Sequence, residues 1–262
     1  MKWLVTAVVL SLLFSACLVG CEGSATSTEK NKKELLVYCG ITMIKPITDI
    51  ARIIEKQENC KITITKGGSG NLLRSIKVNK VGDLYLPGSE SYIKTAKKEG
   101  LVGETVFVGY NKAAIMVQKG NPKNITHDLV NLAGPKYYVV IGNPDSGSIG
   151  RETKKILDCR GIFDEVAKNA QRLTTDSKDL AKVLRNKEAD LVINWYATST
   201  WRENEPHIDA LSIDEQYATK KKLVLGQLTC SQHPDIAQKF LAYASSDEGR
   251  QLFEKYGLFN VR

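Results

Sequence analysis

Lys61-Ile-Thr-Ile-Thr65 is followed by Lys66-Gly-Gly-Ser-Gly70, then by Asn71-Leu-Leu-Arg-Ser-Ile76, and after a short polar interval by Asp83-Leu-Tyr-Leu-Pro87. Four of the first five residues are β-branched, with Ile and Thr alternating, as a half-buried strand requires. The glycine cluster is a loop. Leu72, Leu73 and Ile76 recur at helical spacing, and Leu84-Tyr-Leu86 is a short apolar run that ends at a proline. Strand, glycine loop, helix and strand in succession make a βαβ unit, which implies parallel strands with helices on the sheet faces.

The same rhythm continues in both directions. Upstream, Leu35-Leu-Val-Tyr-Cys-Gly40 reads as a buried strand, and Ile47, Ile50, Ile53 and Ile54 mark a helix over 45–57. Downstream, a helix is expected near 89–99, then strands around Tyr110-Asn-Lys112 and a turn at Lys119-Gly-Asn-Pro122. A second set follows: a strand in Tyr137-Tyr-Val-Val-Ile-Gly142, a helix from about 149, a strand near 171–174, a helix at 177–186 and the run Ala189-Asp-Leu-Val-Ile-Asn-Trp195. Leu223-Val-Leu-Gly-Gln-Leu228 reads as a returning strand before closing helices at 234–244 and 247–255. The expected fold class is therefore α/β, with two doubly wound lobes joined by a two-strand hinge. Lobe one takes residues 34–108 plus 227–262 and lobe two takes 109–226. Two chain crossings allow the lobes to close around a ligand.

The N-terminus reads as an export signal. Lys2 precedes an apolar run of about fourteen residues, the length of a signal-peptide core and too short for a membrane span. Leu18-Val-Gly-Cys21 resembles a bacterial lipobox, so residues 1–20 are expected to be removed and Cys21 lipidated. Residues 21–33 form a polar tether, and the protein is expected to sit as a membrane-anchored lipoprotein outside the cytoplasm. The whole chain has 37 Lys and Arg against 29 Asp and Glu, net +8, which falls to +7 when Lys2 leaves. This mild excess suits attraction of an anion; the basic residues are dispersed, which argues against nucleic acid. Cys39, Cys60, Cys159 and Cys230 remain in the mature chain, and three disulfide pairings stay open. No Cys-x-x-Cys spacing is present, so neither a metal nor a cofactor is expected.

In an open α/β sheet, ligands bind beyond the carboxyl ends of the strands, where helix N-termini present backbone N–H groups. Four such loops carry glycine or small hydroxyl residues: Cys39-Gly-Ile-Thr42, Gly67-Gly-Ser-Gly-Asn71, Asp145-Ser-Gly-Ser-Ile-Gly-Arg151 and Thr174-Thr-Asp-Ser177. Each of those hydroxyls can equally cap its own helix. Two loops per lobe, all of one kind, point to a shared cleft for an anion.

With those segments the chain resembles the periplasmic molybdate/tungstate-binding proteins of ABC transporters, within the type II solute-binding superfamily. The resemblance runs from Leu35 to Phe259 and includes Val37-Tyr-Cys-Gly-Ile-Thr42, Gly68-Ser-Gly-Asn-Leu-Leu73, Gly142-Asn-Pro-Asp145 and Phe253-Glu-Lys-Tyr-Gly-Leu-Phe259. It implies ligand donors at Thr42, Ser69, Ser148, Ile149 and Ser177. It also implies an oxyanion-binding residue at Trp195, where the family commonly has tyrosine, or at Tyr196 one step later. Arg151 is an extra cation that, turned inward, favours phosphate, sulfate or a carboxylate. What the resemblance implies is a monomeric binding protein that passes a molybdate- or tungstate-like oxyanion to a permease. The alternatives are phosphate, sulfate or a small organic anion in the same fold, or a ligand sensor.

Enzyme readings rank lower. His127, His207 and His233 neighbour no candidate nucleophile, Gly67-Gly-Ser-Gly-Asn71 fails the nucleophile elbow at its last position, and the glycine loop lacks the third glycine of a dinucleotide site.

Overall fold

The computed structural model describes residues 32–260. The signal segment 1–20, the lipidation site Cys21 and most of the tether lie outside the described residues.

The run that begins at Leu35 forms β1 (Glu34–Gly40), with parallel neighbours β2 (Lys61–Gly67) and β3 (Leu84–Leu86) on its two sides. Val37 lies opposite Ile64 and Leu84 in register. Side chains alternate across the strand, so β1 is buried twice over. Leu35, Val37 and Cys39 pack on one face with Ile47, Ile50 and Ile54 of α1 (Ile44–Glu58), Phe240 and Leu241 of α7 (Pro234–Ser245) and Phe253 of α8 (Asp247–Lys255). Tyr38 packs on the other face with Leu72, Leu73 and Ile76 of α2 (Ser69–Asn79) and Tyr92 and Ile93 of α3 (Glu90–Lys98).

The sheet is completed by β4 (Val102–Asn111) and β10 (Lys221–Leu228), giving the order β2-β1-β3-β10-β4. β10 runs antiparallel to both β3 and β4. The purely parallel sheet expected from the βαβ rhythm is therefore a mixed one, because this strand is fed from a distant part of the chain. β4 pairs with β10 as far as Asn111 and Lys221, so this sheet extends beyond residue 108 and resumes before 227.

The intervening chain builds a second sheet. β5 (Ala113–Gln118) lies between β8 (Leu191–Trp195) and β9 (Ile208–Ser212), antiparallel to both. β6 (Val140–Gly142) and β7 (Arg172–Thr174) pair in parallel, and a parallel bridge between Val139 and Leu191 joins them to β8. The resulting order β7-β6-β8-β5-β9 repeats that of the first sheet position by position, including the antiparallel fourth strand. Its core gathers Ile149, Ile156 and Leu157 of α4 (Ser148–Arg160), Val166 of α5 (Phe163–Asn169) and Leu180 and Leu184 of α6 (Ser177–Arg185) around the strands. The architecture is α/β, with two doubly wound lobes linked through β4 and β10. No helix among the described residues is long and apolar enough to cross a membrane.

Candidate functional site

The carboxyl ends of β1, β2, β6 and β7 all feed loops that converge on one cavity. Its lining includes Gly40, Ile41 and Thr42 from the first loop, Gly67, Gly68 and Ser69 from the second, and Gly147, Ser148 and Ile149 from the third. Asp176 and Ser177 come from the fourth loop, and Gly88 and Trp195 complete the wall. The enclosed space is small.

Thr42, Ser69, Ser148, Ile149, Ser177 and Trp195 are thus brought together, although they span more than half of the chain. Each is buried. Ser69 Oγ accepts from Gly88 N at 3.0 Å, while Tyr85 Oη donates to the Ser69 carbonyl at 2.8 Å. Thr42 Oγ1 accepts from Asn111 Nδ2 at 3.1 Å. Trp195, 1 % exposed, donates through Nε1 to Ser148 Oγ at 3.2 Å. The Ser177 carbonyl accepts from Asn194 Nδ2 at 2.9 Å. The bonds to Ser69 Oγ, Thr42 Oγ1 and Ser148 Oγ fix the positions of those three hydroxyls.

The structure separates the other two candidates from the cavity. The guanidinium of Arg151 lies 3.8 Å from the centroid of the Tyr92 ring, and Arg151 is not among the residues that line the cavity. Tyr196 is 37 % exposed, packs against Phe259 at 5.6 Å between ring centroids, and lines a different, larger depression with Lys112 and Lys220. Trp195 closes β8 and Tyr196 opens the 3₁₀ turn Tyr196–Thr198, and of the two it is Tyr196 that points outward. Lys45 is held by Glu203 at 3.2 Å and lies over the Trp201 ring.

Helix N-termini dominate the electrostatics. α2 begins at Gly68 and α4 at Gly147, and neither glycine supplies a side-chain cap; Gly40 plays the same part for the 3₁₀ turn Ile41–Met43. First-turn N–H groups of an uncapped helix need an external acceptor and attract negative charge. For α2, Gly70 N and Asn71 N both donate to the Ser146 carbonyl of lobe two, at 3.0 and 3.2 Å. α6 is different, because Asp176 Oδ1 accepts from Lys178 N at 2.8 Å and Asp179 N at 3.2 Å. Among the lining residues Asp176 is the one ionisable side chain, and burial pushes its carboxyl above the ordinary value. Burial also pushes the Cys39 thiol up, which keeps it neutral beneath the first loop. Cys39, Cys60, Cys159 and Cys230 are all free thiols.

Glycine is required where the lobes meet. A Cβ on Gly68 would lie 2.4 Å from the Ser146 carbonyl oxygen and 2.7 Å from that of Thr175. A Cβ on Gly88 would lie 2.3 Å from Ser148 Oγ. Arg74 Nη1 reaches the Asp145 carbonyl at 3.1 Å, and Lys221 pairs with the buried Glu152 of α4 at 3.0 Å. The two lobes are in contact across the cavity, in a closed arrangement.

Among these residues sequence reasoning missed Gly88 and Asp176. Gly88 had a usable signal, a Pro-Gly-Ser turn after a short strand.

Two α/β lobes, a two-strand connection and a donor-lined cavity between strand ends define the type II solute-binding protein fold. The chain belongs to the family of bacterial extracellular solute-binding proteins, whose match covers residues 35–259. It is 27 % identical over 251 residues to a Bacillus subtilis protein provisionally named ABC transporter substrate-binding lipoprotein YvgL, covering 91 % of each chain. Among solved structures it is similar to the sulfate-binding protein SubI from Mycobacterium tuberculosis, with a TM-score of 0.76, 16 % identity and 87 % of each chain covered. It is similar also to the Azotobacter vinelandii periplasmic molybdate-binding protein, with a TM-score of 0.72, 15 % identity, 87 % of this chain and 100 % of that one covered.

Proposed function

We propose that this chain is the lipid-anchored, extracytoplasmic binding component of an ABC importer and captures a small oxyanion between its two lobes. Lobe one takes the first sheet, through Asn111 of β4 and again from Lys221 of β10, lobe two takes the chain between them, and Cys21 is the anchor. The observation that carries this reading is the convergence of glycine-started helix N-termini and buried hydroxyls from both lobes on one small cavity. Gly70 N and Asn71 N are already taken by the Ser146 carbonyl and the first-turn amides of α6 by Asp176, so the donors offered to a tetrahedral anion are the start of α4, the Trp195 indole and the hydroxyls of the lining. A hydrogen bond to an ionised partner contributes about 1.5–3 kcal/mol, so about five of them support micromolar binding or better after association costs. Molybdate and tungstate are the first ligands to try; the names of the relatives, a substrate-binding lipoprotein and binding proteins for sulfate and molybdate, support this choice of class.

Capture involves no bond-making. Ligand contacts to both lobes stabilise the closed form by their excess over contacts in the open one. A permease that recognises the closed form would then receive the anion. The test is a thermal-shift panel of oxyanions and small carboxylates. A ligand at about 100 Kd should add about 2.7 kcal/mol of stability. The double variant Ser69→Ala with Ser177→Ala should remain folded and bind more weakly. A panel without any shift at millimolar concentration removes the proposal, and recovery of a chemically altered ligand after denaturation would point to an enzyme instead.

A further inference from the structure

α4 presents Ser148 and Ile149 to the cavity in its first turn, and a step further along the same helix Arg151 and Glu152 both reach lobe one. The Arg151 guanidinium lies over the Tyr92 ring of α3, 3.8 Å from its centroid. Glu152 is buried and pairs at 3.0 Å with Lys221, where the chain re-enters the first sheet. Arg74 of α2 crosses in the other direction, donating from Nη1 to the Asp145 carbonyl at 3.1 Å. None of these residues lines the cavity. Tyr92 is 1 % exposed and packs with Leu72, Leu73 and Ile93 in lobe one, and its buried hydroxyl has no hydrogen-bond partner. Arg151 is an exposed residue. What lobe two takes from Tyr92 is therefore the ring face, which a planar, weakly hydrated guanidinium suits.

Given oxyanion capture between the lobes, we infer that Arg151 is a positioning residue, a clasp that holds the cleft shut by lying on Tyr92 and sets how long the anion stays without touching it. Opening the cleft moves α4 away from α3, so the guanidinium loses the ring and the ring meets water. A contact made in one of two states shifts their equilibrium by its own free energy. The clasp consequently acts by the same factor on every anion that lets the lobes close. Burial pushes the Tyr92 phenol up, so the ring is neutral and its face remains attractive to a cation. The competing interpretation is that Arg151 draws the anion in through its charge from outside the lining. Charge of that kind acts on association, whereas a clasp acts on dissociation. It also survives Tyr92→Leu, which leaves Arg151 in place.

The experiment is stopped-flow tryptophan fluorescence of the purified full chain with inorganic phosphate, sulfate and molybdate, repeated with Arg151→Met, Tyr92→Leu, Tyr92→Phe and the Arg151→Met/Tyr92→Leu double variant. Arg151→Met changes an exposed side chain and keeps the test open should Tyr92→Leu fail to fold. Arg151→Met and Tyr92→Leu should each speed dissociation about fivefold, the equivalent of ~1 kcal/mol and the size of a partly exposed cation–π contact. The factor should be the same for each anion that binds, with association within about twofold of wild type. The double variant should lose no more than either single one, because both remove one contact. Tyr92→Phe keeps the ring face and should behave as wild type. Unchanged dissociation in Arg151→Met overturns the clasp, as does a loss carried by association or one that differs between anions; each of these results leaves oxyanion capture standing. Failure of all three anions to bind at millimolar concentration overturns oxyanion capture itself, and this inference with it.

Discussion

The two lobes share one strand order, yet they meet the cavity differently. Lobe one presents two glycine-started N-termini with Ser69 and Thr42, and those hydroxyls are held by partners from the same lobe, Gly88 N and Asn111. Lobe two presents one glycine-started helix, α4, and one aspartate-capped helix, α6, with the Trp195 indole held on Ser148. The scaffold is alike in the two lobes and the rims differ. For the anion proposed above, the neutral rim of lobe one would answer to its charge, and the indole and carboxylate of lobe two to its shape and hydrogen-bonding groups. Scaffold and rim should therefore respond to substitution in opposite ways.

The largest effect belongs to the scaffold. Phe240 is fully buried in the core on one face of the first sheet, with Ile47 and Phe253 in the same cluster. Phe240→Ala should cost about 3–5 kcal/mol of unfolding free energy in a denaturant titration. Its ligand affinity, measured where the variant is folded, should stay within about twofold, because the site is remote. A large loss of affinity in folded protein would mean that core and rim are not separable.

Gly68→Ala should do the reverse. The backbone there has φ −65° and ψ 137°, which alanine accepts, so the open protein should fold normally. The added methyl meets carbonyl oxygens of both lobe-two loops when the cleft shuts. Ligand affinity should fall about 100-fold, as expected when contacts are displaced by about an ångström. Unchanged affinity would mean that the closed arrangement is not the binding form.

How the scaffold was readable and the rims were not follows from what periodicity encodes. Burial of β1 on both faces leaves an unbroken apolar run, and α1 repeats its isoleucines at helical spacing, so both are visible in the chain. Strand direction leaves no such trace. The antiparallel setting of β5 and β10 is decided by where the chain comes from, and the short strand β9, Ile208-Asp-Ala-Leu-Ser212, is too polar to stand out. At the rim, small hydroxyls after strands led to Thr42, Ser69, Ser148 and Ser177. Trp195 and Tyr196 were left as alternatives, because the exit of β8 settles which ring turns inward. Arg151 sits one turn beyond Ser148 on the same helix, and only the presence of Tyr92 beside it takes it out of the cavity. Asp176 was hidden in plain view as an ordinary helix cap.

A smaller effect tests the lobe-two rim directly. Ser148→Ala removes the acceptor of the Trp195 indole N–H, a bond of 3.2 Å. Loss of a buried partner of this kind costs about 1–3 kcal/mol. Affinity should fall by about tenfold, with a change in tryptophan fluorescence as the indole is released. Ser69→Ala in lobe one leaves Gly88 N without its acceptor and should cost a similar amount, but without that spectral change. Equal spectra in both variants would contradict the difference drawn between the rims.

The smallest effect is one of pH, and its sign is the informative part. Burial holds the Asp176 carboxyl above the ordinary value of 3.8 in the folded protein. The folded state therefore keeps its proton to higher pH than the unfolded chain does, and stability falls as pH rises through that window. Asp176→Asn has no such proton. Comparing denaturant midpoints, the wild-type protein should gain on the variant as pH is lowered from neutral towards 3.8. Were the helix-capping bonds to outweigh burial, the carboxyl would be held below its ordinary value and the wild type would lose ground over the same range. That reversal would make Asp176 a helix cap whose amide bonds outweigh its burial, and the electrostatic contrast between the two rims would shrink accordingly.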